Sequence, residues 1–298
     1  MNLADIQVFV TAVRVGSLAG AARHLGLTAM AASRSLAALE AELGTRLIHR
    51  TTRSLSPTGD GELFLPHARA LLESQANALA ELRPDGSGLT GQLRITASSA
   101  FSRRVVTPML AGFMRTHPAL QVDVLGTDDQ VDIVAHGIDV AIRIAPLKDN
   151  RLVARRLADS PRLLCATTGY LRDRGRPQTL AELAAHDCLA ATGTSHWAFV
   201  REGRPLRQRV AGRFSASSIE VLFEACRGGL GIANVSHWFA RPWLGEGEGE
   251  DRLEQVVLAD AMPEPLAIWA VYPSAQRVPP KVRLFIQALE ARLASGAA

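Results

Sequence analysis

The side chains best suited to chemistry in this chain are hydrogen-bond donors rather than nucleophiles. Ser33 and Arg34 fall within residues 29–43, where Ala32, Leu36, Leu39 and Leu43 recur at spacings of four, three and four. That period fits one buried helical seam and turns Ser33, Arg34 and Ala37 outward. An outward arginine or serine on such a helix can donate to a phosphate or to the edge of a base. Just beyond, Arg50, Thr51 and Arg53 fall where two short β-forming runs meet, a basic tip suited to a phosphate or a minor groove. Thr28, ahead of the helix, suits a cap and an added phosphate contact.

A second set lies downstream. Ser98, Ser99, Ala100 and Phe101 follow an apolar strand, where amides and hydroxyls at a helix start can hold a carboxylate or simply cap the helix. Other strand ends supply Thr127 and Asp128, Arg143 and Ile144, Thr192 and Gly193, Trp197, Ser217, and Ala233 with Asn234. Arg143 suits an anionic ligand, an interlobe ion pair or plain solvation equally well.

Enzymatic constellations are missing from the sequence pattern. The eight histidines show no metal-ligand spacing, and no nucleophile elbow occurs. Cys165, Cys188 and Cys226 are odd in number and far apart, which reads as buried free thiols. The glycines at 228, 229 and 231 follow a helix and precede a strand, the reverse of a dinucleotide-binding turn. The acidic run 245–251 lacks calcium-loop spacing and reads as a surface loop. No cofactor and no metal are expected.

These side chains need elements to hold them. Leu3, Ile6, Val10 and Val13 mark a first helix ending at Gly16; Ser17 caps a second carrying Leu18, Ala21, Ala22 and Leu25; Gly26 permits a tight turn, and Thr28 caps a third. Gly44 stops it, and residues 47–50 and 51–56 read as two short strands, giving a winged helix. From Thr58 to Leu82 a further helix carries Leu63, His67, Ala70, Leu71, Ser74, Ala78 and Leu82 on one stripe, interrupted by Pro66. With no neighbour in view, that stripe is expected to pack on a second copy of the chain. Residues 84–88 have linker composition.

Beyond Gly91 short apolar strands alternate with helices. Strands are expected at 93–97, 122–125 and 140–144 and helices at 105–116 and 131–136. A second set follows at 162–166, 180–185, 188–191, 218–226 and 231–235. A strand at 266–272 can return to the first half before a closing helix at 282–293. The alternation argues for parallel sheets in two α/β lobes joined by two crossings around a hinged cleft. The expected domains are 1–58 for the winged helix, 59–88 for the linker helix and hinge, and 89–298 for the lobes. One lobe comprises about 89–160 with 267–298, the other 161–266.

The 298 residues, 47% hydrophobic and 21% charged, are enough for two or three cores. Net charge is only +4, yet Lys148 and Lys281 are the sole lysines, and Arg14, Arg23, Arg34, Arg46, Arg50 and Arg53 face only Asp5, Glu40 and Glu42 in the first 56 residues. The start lacks a leader pattern and no run reaches about eighteen apolar residues, so a cytoplasmic protein without membrane contact is expected.

In order along the chain, Phe9, Ser17-Leu18, Ala21-Ala22, Leu25, Thr28, Ser33-Arg34, Leu39-Glu40, Leu43-Gly44, Leu47, Arg50, Thr58 and Gly61 form one pattern. Downstream stand Gly91-Gln92-Leu93-Arg94-Ile95, His117-Pro118, Gly137-Ile138-Asp139-Val140-Ala141-Ile142-Arg143, Leu152-Val153-Ala154-Arg155-Arg156-Leu157, His186-Asp187-Cys188-Leu189 and Gly229-Leu230-Gly231-Ile232-Ala233. In these the chain resembles the LysR-type transcriptional regulators over essentially its whole length. The resemblance implies an all-α winged helix-turn-helix domain, a dimerising linker helix, and a two-lobed α/β domain similar to periplasmic binding proteins. It further implies double-stranded DNA as partner, a small-molecule effector, and a homodimer that pairs into a homotetramer.

On that reading Thr28, Met30, Ser33, Arg34, Arg50, Thr51 and Arg53 contact DNA. Ser98 to Phe101 and the strand-end residues Thr127, Asp128, Arg143, Ile144, Thr192, Gly193, Trp197 and Ser217 contact an effector, expected to be an organic anion. One departure is informative. Where the family often has glutamine and then proline or serine after the threonine, this chain has Ala29, Met30 and Ala31. These cannot form bidentate hydrogen bonds to bases, which shifts weight onto Ser33 and Arg34. The competing readings are a solute-binding protein, which would dispense with residues 1–83, and a cytosolic enzyme on the same lobes, which would need a catalytic set.

Overall fold

The computed structural model describes residues 1–50, 55–81, 89–145, 152–273 and 278–295. Thr51, Arg53, Leu82 and the linker at 84–88 therefore lie outside the described residues. Helix α1 (Leu3–Val15) opens with the Asn2 side chain accepting from the Ala4 amide, and α2 (Leu18–His24) with Ser17 accepting from Gly20. Gly26, at φ +66° in the left-handed region, makes the turn into α3 (Ala29–Leu43), where Thr28 Oγ1 accepts from the Ala31 amide at 3.1 Å. Ile6, Phe9, Ala21, Leu36, Leu39 and Leu47 form the shared core. Leu43 does not join them. It is 36% exposed, because the helix ends within a residue of it and the last turn overshoots the core.

Strands β1 (Ile48–Arg50) and β2 (Leu55–Pro57) pair antiparallel as the two sides of a wing. Glu40 Oε1 accepts from the Leu47 and Ile48 amides, tying the wing to α3. Helix α4 (Gly59–Glu81) runs on through Pro66, whose ring removes one amide donor from an exposed face. The expectation of a helix without a neighbour is corrected: Phe64, Leu65, Ala68 and Leu72 pack on the winged-helix core, with the Phe9 and Phe64 rings 5.8 Å apart. Leu63, on the side turned away, is 74% exposed, while Leu71 and Leu79, seven residues after Phe64 and Leu72, carry the docked side on past the winged-helix core and are exposed too.

In the first lobe β3 (Gly91–Ala97) leads into α5 (Ser99–Phe101), a π-helical stretch (Ser102–Val106) and α6 (Thr107–Thr116), then β4 (Leu120–Gly126), β5 (Val140–Ile144) and β6 (Leu152–Ser160). The second holds β7 (Arg162–Thr167), α7 (Thr168–Arg174), β8 (Cys188–Ala191), β9 (His196–Arg201), β10 (Arg204–Arg209), β11 (Ser215–Ala216), α8 (Ile219–Arg227), β12 (Ile232–Ser236), α9 (His237–Ala240), β13 (Leu253–Val256) and β14 (Met262–Pro263). β15 (Leu266–Pro273) then returns to the first lobe, followed by α10 (Pro280–Ala294).

Among the described residues the first-lobe sheet runs β4-β3-β5-β15-β6 and the second β11-β8-β12-β7-β13. Neither is purely parallel, contrary to the alternation argument. β3 is parallel to β4 and β5, and β12 to β8, but β15 runs antiparallel to β5 and β6, and β7 antiparallel to β12 and β13. The antiparallel neighbours are the strands by which the chain leaves and re-enters each lobe, a relation that local periodicity does not encode. The helix expected from 105 starts six residues earlier, at Ser99.

No helix forms at 131–136. Asp132 Oδ1 accepts from the Val134 and Ala135 amides and closes a single turn, since the segment is too short to nucleate more. Residues 180–185 likewise give one 3-10 turn, Ala181–Ala185. A hairpin of β9 and β10, with β14, forms a small additional sheet that the periodicity did not reveal.

Candidate functional site

On α3 the burial of Ala32, Leu36 and Leu39 leaves Met30, 73% exposed, and Arg34 facing solvent with Ala37. Ser33 is only half-buried rather than fully outward, and Thr28, though exposed, already uses Oγ1 as the cap. Arg46 and His49, which sequence reasoning did not single out, are exposed at the base of the wing. Thr58 Oγ1 donates to the Arg46 carbonyl at 2.6 Å and fixes the backbone there. The backbone of Arg50 closes β1.

The expected effector residues fall into separate groups. Ser98 Oγ accepts from the Phe101 amide at 3.3 Å, so the capping role holds its hydroxyl. The Ser99 amide donates to Asp128 Oδ1 at 3.3 Å and the Thr127 amide to the Ala97 carbonyl at 2.9 Å, which brings 98–101 and 127–128 together beyond β3 and β4. Ala100 and Phe101 are buried in interlobe packing. Ala100 lies among Leu163, Phe223 and Phe239 of the second lobe, and Phe101 meets Trp238 edge-on at 5.3 Å. Arg104 reinforces the contact, donating to the Phe239 carbonyl at 2.9 Å with its guanidinium 4.5 Å above that ring, and Arg103 pairs with Glu220.

Arg143 is half-buried, donates to the Val131 carbonyl at 3.3 Å, and has its pKa lowered by burial. Ile144 packs against the first-lobe core. Across the molecule the Thr192 amide donates to the Ala216 carbonyl, which places Thr192, Gly193 and Ser217 together, all exposed, past β8 and β11. Trp197 does not join either group. It is buried with Tyr170, Leu180 and Phe199, on the sheet face opposite the cluster that receives Ala100.

Sequence reasoning passed over Arg162 and gave Asn234 only as a strand end. Both lie where β7 and β12 meet the first crossing, and Arg162 Nη2 donates to the Asn234 carbonyl. Burial pushes the Arg162 guanidinium down to about 10. Cys165 and Cys226 are buried with Sγ atoms 4.0 Å apart, and all three cysteines are free thiols. Among the described residues no group of three His, Cys, Asp or Glu side chains could hold a metal ion.

Comparison with known proteins gives the arrangement its context. Residues 3–62 match the family described as bacterial regulatory helix-turn-helix protein, lysR family, and residues 86–294 match the LysR substrate binding domain. The HTH-type transcriptional regulator DmlR of Escherichia coli is 32% identical, with 96% of this chain and 93% of the relative aligned. The probable HTH-type transcriptional regulator LtrA of Klebsiella pneumoniae is 31% identical over 96% of this chain and 93% of its own length. Among solved structures, the full-length Vibrio cholerae virulence activator AphB aligns at 30% identity and a TM-score of 0.57, covering 98% of this chain and 99% of its own.

Proposed function

The chain belongs to the LysR family of helix-turn-helix transcriptional regulators, and from that premise we propose how its parts divide the work. Residues 1–58 bind double-stranded DNA, 59–88 form the dimerising helix and hinge, and 89–298 respond to a small molecule. The observation that carries this reading is the exposed Met30–Arg34 face of α3, fixed by a buried seam and by the Thr28 cap. A helix presented in this way enters the major groove by its N-terminal residues. Arg34 then contacts phosphate or guanine, Met30 gives apolar contact to a thymine methyl, and Ser33 has only partial access. Arg50, Thr51 and Arg53 complete the contact from the wing.

The exposed leucines of α4, Leu63, Leu71 and Leu79, support a homodimer through this helix, and two such dimers would form the tetramer. Membership of a regulator family favours a non-enzymatic cytoplasmic role. An effector held between the Ser98–Asp128 group and the Thr192–Ser217 group would favour one arrangement of the lobes and alter DNA bending. A gel-shift assay with duplex DNA from upstream of the protein's own gene tests this reading. Retarded complexes that weaken steeply with salt are expected, and no binding at low salt would defeat it.

A further inference from the structure

Two side chains at the hinge end of the second lobe carry hydrogen-bonding atoms that the protein itself does not use. Asn234 is 4% exposed, and neither its Oδ1 nor its Nδ2 has a partner among the described residues. On the neighbouring strand the Arg162 Nε is likewise sealed from solvent without a partner, and no carboxylate among the described residues pairs with the guanidinium. Its Nη2 donates only to a neutral acceptor, the Asn234 carbonyl. Ser236 lies directly across from Arg162, and Leu164 across from Asn234. Alternation therefore puts Arg162, Asn234 and Ser236 on one sheet face, the first two as diagonal neighbours roughly 7–8 Å apart at the backbone. Ser236 Oγ is within 3.1 Å of Ser160 Oγ, at the crossing between the lobes.

Such a cluster opposes folding when nothing answers it. A buried amide without partners and a desolvated guanidinium without a counter-charge each destabilise the folded chain, and apolar side chains of similar volume would be tolerated better. A ligand reaches these enclosed atoms only by opening the packing over them, and the part of Arg162 that stays accessible marks the side from which it would do so. The unmet needs are one negative charge for the guanidinium, an acceptor for Asn234 Nδ2 and a donor for Asn234 Oδ1. A carboxylate with a hydroxyl on the adjacent carbon supplies all three.

We propose that Arg162 and Asn234 anchor the carboxylate of a small hydroxy acid at the hinge end of the second lobe. This deepens the effector reading given above and rests on it. The carboxylate lies between Arg162 Nε and Asn234 Nδ2, and the ligand hydroxyl donates to Asn234 Oδ1. Arg143 is not the anchor, because its guanidinium faces the Val131 carbonyl on the other lobe. Seated beside the Ser160–Ser236 contact, the ligand bears on the segment about which the lobes turn.

The test is thermal unfolding of the full-length chain, wild type and the variants Arg162→Met, Asn234→Leu and Arg143→Gln, in lactate, acetate, lactamide, phosphate and chloride at matched ionic strength. Without ligand, Asn234→Leu and Arg162→Met are expected to melt about 2–4 °C above wild type, because unpartnered polar atoms have been removed. Lactate is expected to raise the wild-type midpoint more than acetate does and to leave both of these variants unmoved, while lactamide, phosphate and chloride do nothing. Destabilisation of Asn234→Leu together with a lactate response equal to wild type would overturn the proposal. An equal response to phosphate or chloride, or none to lactate in the wild type, would do the same. A lactate shift that survives in both second-lobe variants but vanishes in Arg143→Gln would overturn the anchor and leave the effector reading standing. Loss of DNA binding in the gel shift would instead strike the regulatory reading alone.

Discussion

Lys281 offers a quantitative test of how the first lobe is held together. Its ammonium, on α10, lies 2.9 Å from Asp139 Oδ2 and also donates to the Gln92 carbonyl on β3. The two side chains are 8% and 10% exposed, and the same Asp139 oxygen accepts from the Arg94 amide at 2.7 Å. The pair thus ties the closing helix to β3 and to the turn before β5. Replacing Lys281 with methionine takes away an ammonium 2.9 Å from a buried carboxylate, a change that costs about 3–5 kcal/mol. The Arg94 amide stays on Asp139 at 2.7 Å, which argues for the lower end, about 3 kcal/mol.

For a domain of this size each kcal/mol shifts the midpoint by about 2–4 °C, so the Lys281→Met melting temperature should fall by roughly 6–12 °C. Scanning calorimetry or circular dichroism reads this directly. The double variant with Asp139→Asn keeps an acceptor for the Arg94 amide but no charge, and should regain most of the loss. A drop below about 2 °C for Lys281→Met would mean that the pair behaves as a solvated surface bridge, and would refute the argument.

Other outcomes follow from the packing and titration of particular groups. At Gly61 a Cβ would sit 2.1 Å from the Leu47 carbonyl oxygen, so Gly61→Ala must displace backbone. It should destabilise the docking of α4 on the winged helix by more than about 3 kcal/mol, seen as early proteolysis near the start of α4. Cys188 has its thiol pKa pushed up to about 12, first by burial and then by the Asp187 charge. Its contribution to stability is therefore complete below the unfolded thiol pKa of about 9 and lost as pH rises from there towards 12. The melting temperature of Cys188→Ala should decline less steeply than wild type over that range. In the native protein all three buried thiols should resist a disulfide reagent at neutral pH until denaturant is added, and rapid labelling would contradict the packing.

What could be read in the sequence was what is written locally. Ser17, Gly26 and Thr28 announce caps and a turn by residue type alone, and each does in the structure what its chemistry requires. The Ala32-Leu36-Leu39 seam likewise fixed which side of α3 is bare, though the last member of that series, Leu43, fell past the end of the core. Strand direction was not legible. β5 and β15 are brought together from opposite ends of the lobes, and nothing in either strand states that they run antiparallel.

The helix expected at 131–136 stopped at the one turn that Asp132 caps, because Gly137, in the left-handed region, ends the segment before it can propagate. Trp197 looked like a strand-end residue only because the hairpin of β9 and β10 went unseen. It belongs to the core beneath that hairpin. Arg162 was invisible as a site residue for a related reason. An arginine at the start of an apolar run reads as a solvated flank, and only the fold shows that its Nε is enclosed beside Asn234.

The central claim, that the exposed face of α3 reads DNA, is tested most directly by the salt dependence of operator affinity for wild type and Arg34→Ala. Arg34 is exposed, and its loss leaves the Ala32, Leu36 and Leu39 seam untouched. If it contacts a phosphate, the variant binds more weakly and its slope of log affinity against log salt is shallower by about 0.9, with the oligomeric state unchanged. Wild-type affinity and slope for Arg34→Ala at two salt concentrations would contradict the account.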